Sequence, residues 1–576
     1  VLILGTTFVL AVPLGFYLAW IMDGGYCAPS VLRWIEERID TGRQNWRQYI
    51  FSLLYFNVVI FVFAFTILAL QPWLPLNPDG KKMLYPTTIF NTVCSFLSNT
   101  NLQHYSGEVH LSYFSQLFAI VWCQFVSPAV GLAALAAILR GLRGDRDMGN
   151  FYLDLWRGTI YIMLPLGIVW AILLLAGGVP MTFEGAVQAQ TIEAGAMGTQ
   201  DNGQPKPQMI SRGPVAALVA VKQLGTNGGG FFGANSCHPF ENPSAWTNFL
   251  ECVALILLPI ASLVMLGRML SNFRHAGVIF GVMLVLSIGT IAWAVYSDTM
   301  QPNPGLVELP VDQSLGNLEG KELRFGVSAG ATWAALTTNS SNGSVNCMHD
   351  SLNPLAGLTP LCGMWLNCIW GGKGVGLINF LVYLIVGVFL AGLMVGRTPE
   401  YLGKKVEARE MKLAMLALLI HPLMVLGPTG LFSVCDWGTK AANNPGPHGF
   451  SEILYEFSSA SANNGSGLEG LGDTHGFNKA EDNPSPPAPY APSWDITCGL
   501  VMLISRFVPI IAPLALAASL AAKKPTPFTA GTMRTDTVTF GFVLLGTIVL
   551  VGALLFMPAA VLGPVAEHLG PIPFGR

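Results

Sequence analysis

Long apolar runs alternate with polar stretches along the whole chain. A bilayer core takes about 20 mainly apolar residues per helix. Ten stretches reach that length, at 2–22, 48–70, 114–139, 158–178, 247–270, 276–296, 377–396, 412–434, 496–521 and 540–563. The polar stretches between them fall into two alternating classes. One is short and basic: Arg33, Arg38, Arg43 and Arg47 follow the first run, and Arg140, Arg143, Arg146 and Arg157 follow the third. Arg268 and Arg274 flank the next such turn, Arg397, Lys404, Lys405 and Arg409 follow the seventh run, and Lys523, Lys524 and Arg534 follow the ninth. The other class is long and poor in Lys and Arg, at 71–113, 179–246, 297–376 and 435–495. Lys and Arg concentrate on the cytoplasmic side, so the basic set is expected inside, with both termini extracytoplasmic. Val1–Met22 carries no basic n-region and no small-residue cleavage site, and reads as a membrane helix rather than a signal peptide.

Each long outer stretch holds an apolar segment too short to cross a bilayer: Thr87–Ser98, Gly213–Leu224, Ser328–Asn339 and Phe450–Ser461. Segments of that length suit a re-entrant helix. Each runs into a polar loop: "NTNLQHYSGE" from Asn99, "GTNGGGFFGANS" from Gly225, "SSNGSVN" from Ser340 and "ANNGSGLEG" from Ala462. Three of the loops carry Asn-Gly, and the first carries Asn99-Thr100-Asn101. The loops recur about 115–126 residues apart, counting from Asn101 to Asn227, Asn342 and Asn464, as an internal repeat requires. One Asn-Gly is an ordinary turn. Four equivalent polar loops, each after a half-span, are expected to act together.

Composition agrees with a lipid-embedded chain. It is 52% hydrophobic and only 11% charged, against about 25% charged in soluble domains. No basic tract points to nucleic acid, and the net charge of −3 says little about partners. The ten cysteines show no zinc-ligand spacing, although Cys347, Cys362 and Cys368 could pair in an oxidising compartment. Neither a DKTGT phosphorylation motif nor a Walker A sequence occurs, and "GTNGGG" lacks the GK[ST] ending of a phosphate loop.

The expected architecture is an all-α polytopic membrane protein. It has ten transmembrane helices and four pseudo-symmetric membrane–pore–membrane repeats around a central pore. The divisions are 1–47 (extra helix and cytoplasmic loop), 48–140, 158–271, 276–396 and 412–521 (repeats one to four), and 522–576 (extra C-terminal helix). Backbone that is neither helix nor strand survives at membrane depth only where protein buries it or water wets it. Four such loops on one axis can offer carbonyl oxygens in place of a cation's water shell. Gly and Asn accept the left-handed conformations that turn successive carbonyls to one side.

"NTNLQHYSGE", "GTNGGGFFGANSCHPFENP", "MHDS", "GRTPEYLGKK", "REMK" and "NPGPHGFSE" resemble the family of potassium-binding subunits of the bacterial potassium-transporting ATPase (KdpA), over nearly the whole chain. The resemblance implies high-affinity uptake of K+ as the transported ion, with no organic cofactor. It implies ATP hydrolysis by a partner P-type subunit (KdpB), together with KdpC and often KdpF, in a bacterial inner membrane. It also implies an ion filter built from Asn99, Thr100 and Asn101; Thr226, Asn227 and Gly228; Ser341, Asn342 and Gly343; and Asn463, Asn464 and Gly465. The third loop departs from the family at Asn342, where a Cys, Thr or other small residue is expected. Gln103 matches a glutamine that affects ion affinity, and Arg506 an arginine below the filter. Arg397 and Glu400 match a broken helix acting as an inner gate, unless they simply anchor the chain at the cytoplasmic surface.

Other polar residues have plainer readings. Arg506 interrupts an apolar run, which is costly without a partner or water; a structural ion pair is the alternative to a functional role. His238 and Glu241 resemble a metal pair only superficially, and Asn242-Pro243 reads as an N-cap and first turn. Glu108, Glu241 and Glu469 follow filter loops and either gather cations at the mouth or are solvated loop charges. His421 reads as a satisfied core histidine. A passive channel or symport subunit would share the same core, whereas a membrane enzyme would need clustered catalytic groups that the spans lack.

Overall fold

Asn45 starts the second membrane helix by accepting the N–H groups of Arg47 and Gln48, while Gln48 Oε1 accepts the Asn45 N–H. Side-chain caps of this kind start several membrane helices in the computed structural model, which describes residues 1–193, 198–199, 204–307, 309–474, 490–527 and 534–570. Helix α1 (Leu2–Met22) precedes α2 (Trp46–Leu70), a short α3 (Pro86–Leu97) and α4 (Tyr113–Arg143). Gly144 stops α4 in the left-handed conformation. The order long–short–long recurs in α5 (Phe151–Ala176), α6 (Val215–Leu224) and α7 (Ala245–Met269). It recurs again in α8 (Phe273–Thr299) and α9 (Val327–Asn339), followed by two helices, α10 (Pro354–Leu366) and α11 (Val375–Val395). Next come α12 (Ala408–Phe432), α13 (Gly446–Ala462) and α14 (Ala491–Ala521), then α15 (Val538–Ala560). Two small hairpins, β1 (Val187–Ala189) with β2 (Gln208–Ile210) and β3 (Glu400–Tyr401) with β4 (Lys404–Lys405), lie in the connections.

Ten helices among the described residues are long and apolar enough to cross a membrane. The chain is a multi-pass membrane protein of the expected all-α class. Their burial separates two layers. The hydrophobic stretches of α4, α7, α11 and α14 are 67–89% buried, and those of the other six only 28–33%. The first set therefore forms the centre, where its members touch one another, and the second set turns apolar side chains to lipid. Helices α3, α6 and α13 pack between the long helices that flank them in sequence, and α9 packs between α8 and α10.

One expectation is displaced. Helix α11 runs unbroken to Val395 and ends at a left-handed Gly396, so no break lies at Arg397 and Glu400. The break lies upstream, between α10 and α11, in Asn367–Gly374. Asn367 (φ 45°), Gly371 (φ 61°) and Gly374 (φ 81°) are all left-handed there, which a helix cannot accommodate. Helix α10 itself was hidden in the third outer stretch, because its 13 residues fall short of a span. Arg140 also differs from a free surface anchor: it is buried and pairs with Asp154, Nη1 to Oδ2 at 2.5 Å.

Candidate functional site: four backbone loops in a ring

Helices α3, α6, α9 and α13 each end on three residues of one backbone shape. The first of each triplet is left-handed: Asn99 (φ 67°), Thr226 (φ 50°), Ser341 (φ 46°) and Asn463 (φ 52°). So is the third: Asn101 (φ 57°), Gly228 (φ 88°), Gly343 (φ 92°) and Gly465 (φ 104°). The N–H of each middle residue donates back to its own helix: Thr100 to Ser95 O at 2.9 Å, Asn227 to Lys222 O at 2.9 Å, Asn342 to Thr337 O at 2.8 Å and Asn464 to Ser459 O at 2.9 Å. The N–H groups of the third residues turn the same way. Asn101 and Gly228 donate to Ser95 O and Lys222 O at 3.2 and 3.3 Å, and Gly343 and Gly465 to Thr337 Oγ1 and Ser459 Oγ at 3.0 and 2.9 Å.

A trans peptide plane holds each carbonyl opposite the N–H that follows it. The carbonyls of the first and second residues therefore turn away from the helix ends, two from each loop. The loops touch in a closed circuit. An ideal Cβ on Gly228 would lie 2.0 Å from Asn342 O, one on Gly343 2.0 Å from Asn464 O, and one on Gly465 2.0 Å from Thr100 O. Asn99 Nδ2, which donates to Thr226 O at 2.8 Å, closes the circuit between the first and second loops.

Side chains hold the ring in shape. Asn342 Nδ2 reaches the Lys222 and Gln223 carbonyls at the end of α6, and Asn464 Nδ2 the Thr337 carbonyl of α9. These contacts give helix-end carbonyls that already accept loop N–H groups a further donor from the neighbouring loop, and they account for asparagine at position 342. Thr226 is β-branched and left-handed, a strained combination. Its Oγ1 donates to Gly225 O at 2.7 Å and accepts the Lys373 N–H at 3.0 Å. Gln103 clamps the first loop to the second: Nε2 donates to Gly230 O at 3.0 Å and Oε1 accepts the Gly230 N–H at 2.8 Å.

The ring separates two cavities. On one side, a cavity of about 280 Å³ is lined by Gln103, Gly343, Gly465, Glu456, Glu469 and Asp473, among others. On the other, a cavity of about 40 Å³ is lined by Asn99, Ser341, Asn463, Asn367, His421 and Arg506, among others. The smaller has room for a few waters. Arg506 is buried, and its Nη2 donates to Ser127 O at 3.3 Å. Among the described residues no carboxylate pairs with it.

The chain matches the family described as "Potassium-transporting ATPase A subunit" (KdpA) over residues 1–569. It is also 44% identical, over 97% of both chains, to the potassium-transporting ATPase potassium-binding subunit of Geobacillus kaustophilus (strain HTA426). The chain belongs to the KdpA family.

Of the residues that KdpA resemblance singled out, the ring brings together all four triplets, with Gln103 at its rim and Arg506 across the smaller cavity. Arg397 is not among them: it is exposed beyond the end of α11, beside the β3–β4 hairpin, as an anchor would be. Glu241 corrects both readings made of it. It is fully buried and paired with Lys222 Nζ. Glu108 accepts the Gly233 N–H at 2.9 Å, and Glu469 faces the larger cavity while accepting the Asp350 N–H. The cap of α7 is Ser244 with Thr247, not Asn242, and His238 stacks on Phe232 with ring centroids 3.7 Å apart. His421 is satisfied by Ser461 Oγ and Met364 O, as expected. Cys347, Cys362 and Cys368 are free thiols.

Sequence reasoning missed the supports of the second loop. Lys222 Nζ also donates to Asn235 Oδ1 at 2.8 Å and Ser236 Oγ at 2.6 Å, and Asn235 Nδ2 in turn donates to Gly228 O at 2.6 Å. A lysine inside the apolar run "VAALVAVKQL" was the available signal. A second buried cation, Lys373, was also passed over. Among the described residues its Nζ has no hydrogen-bond partner.

Proposed function

We propose that this chain is the potassium-binding, ion-selecting and translocating subunit of an ATP-driven uptake complex. The ring supports the reading as its selectivity filter. The observation that carries it is the set of eight carbonyls, two from each of Asn99–Thr100, Thr226–Asn227, Ser341–Asn342 and Asn463–Asn464, turned away from their helix ends in a closed circuit. Such oxygens can replace the water shell of K+. Four helix C-termini, the negative ends of their dipoles, add favourable potential at the same place. The larger cavity is the extracytoplasmic mouth, where Glu469 raises the local cation concentration. Arg506 then faces the ion from the inner side and opposes its onward movement. K+ waits in the filter until the P-type partner, KdpB, draws it on.

On this reading 48–140, 158–271, 276–396 and 412–521 are four repeats around the pore, and 1–47 and 522–576 supply the extra helices. KdpC and KdpF complete the complex in the bacterial inner membrane. The basic loops lie in the cytoplasm and the termini outside.

The test is rubidium uptake in cells with this complex as their sole potassium system. The expected result is ATP-dependent uptake that K+ competes and Na+ does not, weakened by Gly228→Asp. Uptake with unchanged affinity and sodium rejection in Gly228→Asp removes Gly228 from the filter. Uptake that persists after ATP depletion points to a passive channel.

A further inference from the structure

We propose that His104, Glu456 and Cys498 hold a borderline-soft divalent metal ion, Zn2+ by chemical class, in the wall of the larger cavity, with Asp473 beside them to close the fourth position when the ion binds. All four side chains are buried. They come from four places: the loop after α3, helix α13, the loop after it, and α14. Sequence spacing, which shows no metal motif, could not reveal such a set.

The separations fit a metal. His104 Nε2 lies 3.3 Å from Glu456 Oε1 and 3.6 Å from Asp473 Oδ2, and Cys498 Sγ lies 3.6 Å from Glu456 Oε1. The ligand atoms of His104, Glu456 and Cys498 all fall within 4.8 Å of one another. Metal–ligand bonds of about 2.0–2.3 Å around a tetrahedron place neighbouring donors about 3.3–3.8 Å apart. Asp473 Oδ2 supplies an independent sign. It is buried, points at this cluster, and among the described residues has no hydrogen-bond partner.

The outer contacts match a metal-bound histidine. His104 Nδ1 is 2.8 Å from Asp495 Oδ1, and Asp495 Oδ2 accepts from Thr87 Oγ1 at 2.7 Å and Thr88 Oγ1 at 2.9 Å. A carboxylate held in this way fixes the ring and leaves Nε2 with its lone pair toward the site. Binding would release the Cys498 thiol proton to solvent and form the sulfur–metal bond in its place. His104, Glu456 and Asp473 line the larger cavity, which gives the ion a path. Three ligands already converge, and closure by Asp473 would complete a structural site. Its effect is to tie the first loop, three residues past Asn101, to the helix that ends on the fourth loop.

The test is Co2+ and Zn2+ titration of the detergent-purified protein, with its co-purifying subunits, after chelation. The expected result is saturable Co2+ binding with a tetrahedral spectrum and a thiolate-to-cobalt charge-transfer band that Zn2+ abolishes. Cys498→Ser removes the band, and Asp495→Asn weakens affinity tenfold to a hundredfold. Should Cys498→Ser fail to assemble, Asp473→Asn replaces it, with the same loss of affinity expected. No saturable binding, or a band unchanged in these variants, overturns the proposal and leaves a protonated imidazole bridging the carboxylates.

Discussion

The carbonyl oxygen of Asn464 occupies the place where a side chain on Gly343 would begin, 2.0 Å from an ideal Cβ. The same relation links Gly228 to Asn342 and Gly465 to Thr100. Glycine at the third position therefore serves two ends: it accepts a left-handed φ and it lets the next loop's carbonyl come close. Gly343→Ala should weaken K+ binding roughly tenfold or more, since the left-handed conformation alone costs about 1–2 kcal/mol before the clash is counted. Gly326 is the control. It is also left-handed, at φ 77°, but its Cβ would meet nothing within 4 Å, so Gly326→Ala should leave affinity for K+ unchanged. Equal effects in the two variants, read as potassium-stimulated ATPase activity, would show that strain alone matters.

Gln103 joins two loops through both ends of its amide. Gln103→Ala removes both bonds to Gly230, each worth about 0.5–1.5 kcal/mol. Half-saturation for K+ should rise about tenfold with a smaller change in maximal rate. A pure loss of maximal rate would place Gln103 outside the binding step.

Arg506 has no carboxylate to lose among the described residues. Arg506→Ala should therefore assemble normally and alter transport, most directly by allowing rubidium to leak down its gradient without ATP. Size-exclusion chromatography of the purified complex reads assembly. A variant that fails to assemble would give Arg506 a structural role instead.

Lys222 and Glu241 are a buried pair behind the second loop. Removing one partner leaves a charge uncompensated, at a cost of about 3–5 kcal/mol. Lys222→Met should lower the thermal stability of the complex markedly, and Lys222→Met with Glu241→Gln should recover part of the loss. No recovery would mean that the bonds of Lys222 to Asn235 and Ser236 carry the effect.

Burial pushes the Glu469 carboxyl up to about 7, against the Asp350 N–H that steadies the anion. A raised acid is neutral below its pKa, so the mouth loses negative charge as pH falls through 7. Affinity for K+ should weaken between pH 8 and pH 6, and Glu469→Gln should flatten that dependence. A profile unchanged by the substitution would assign it to other groups.

The membrane helices and the short ones between them were legible because apolar run length is a one-dimensional property. The triplets were legible because Gly or Asn at the third position of each loop is what left-handed backbone demands, whereas left-handed Thr226 and Ser341 carried no such signal. Helix α10 was not, since 13 residues in a long outer stretch carry no distinct signal, and the break before α11 lies in residues that resemblance did not single out. Pairings were illegible for a deeper reason. Glu241 follows a loop and looks solvated, and only the fold brings Lys222 Nζ to it. His104 and Asp495 meet across 391 positions, a distance over which no spacing rule operates.

Rubidium anomalous density in a crystal structure of the complex tests the filter most directly. The account predicts peaks on the axis of the ring, between the carbonyls of Asn99, Thr226, Ser341 and Asn463 and those of Thr100, Asn227, Asn342 and Asn464. Peaks confined to the cavities, with the ring bare at saturating rubidium, would contradict it.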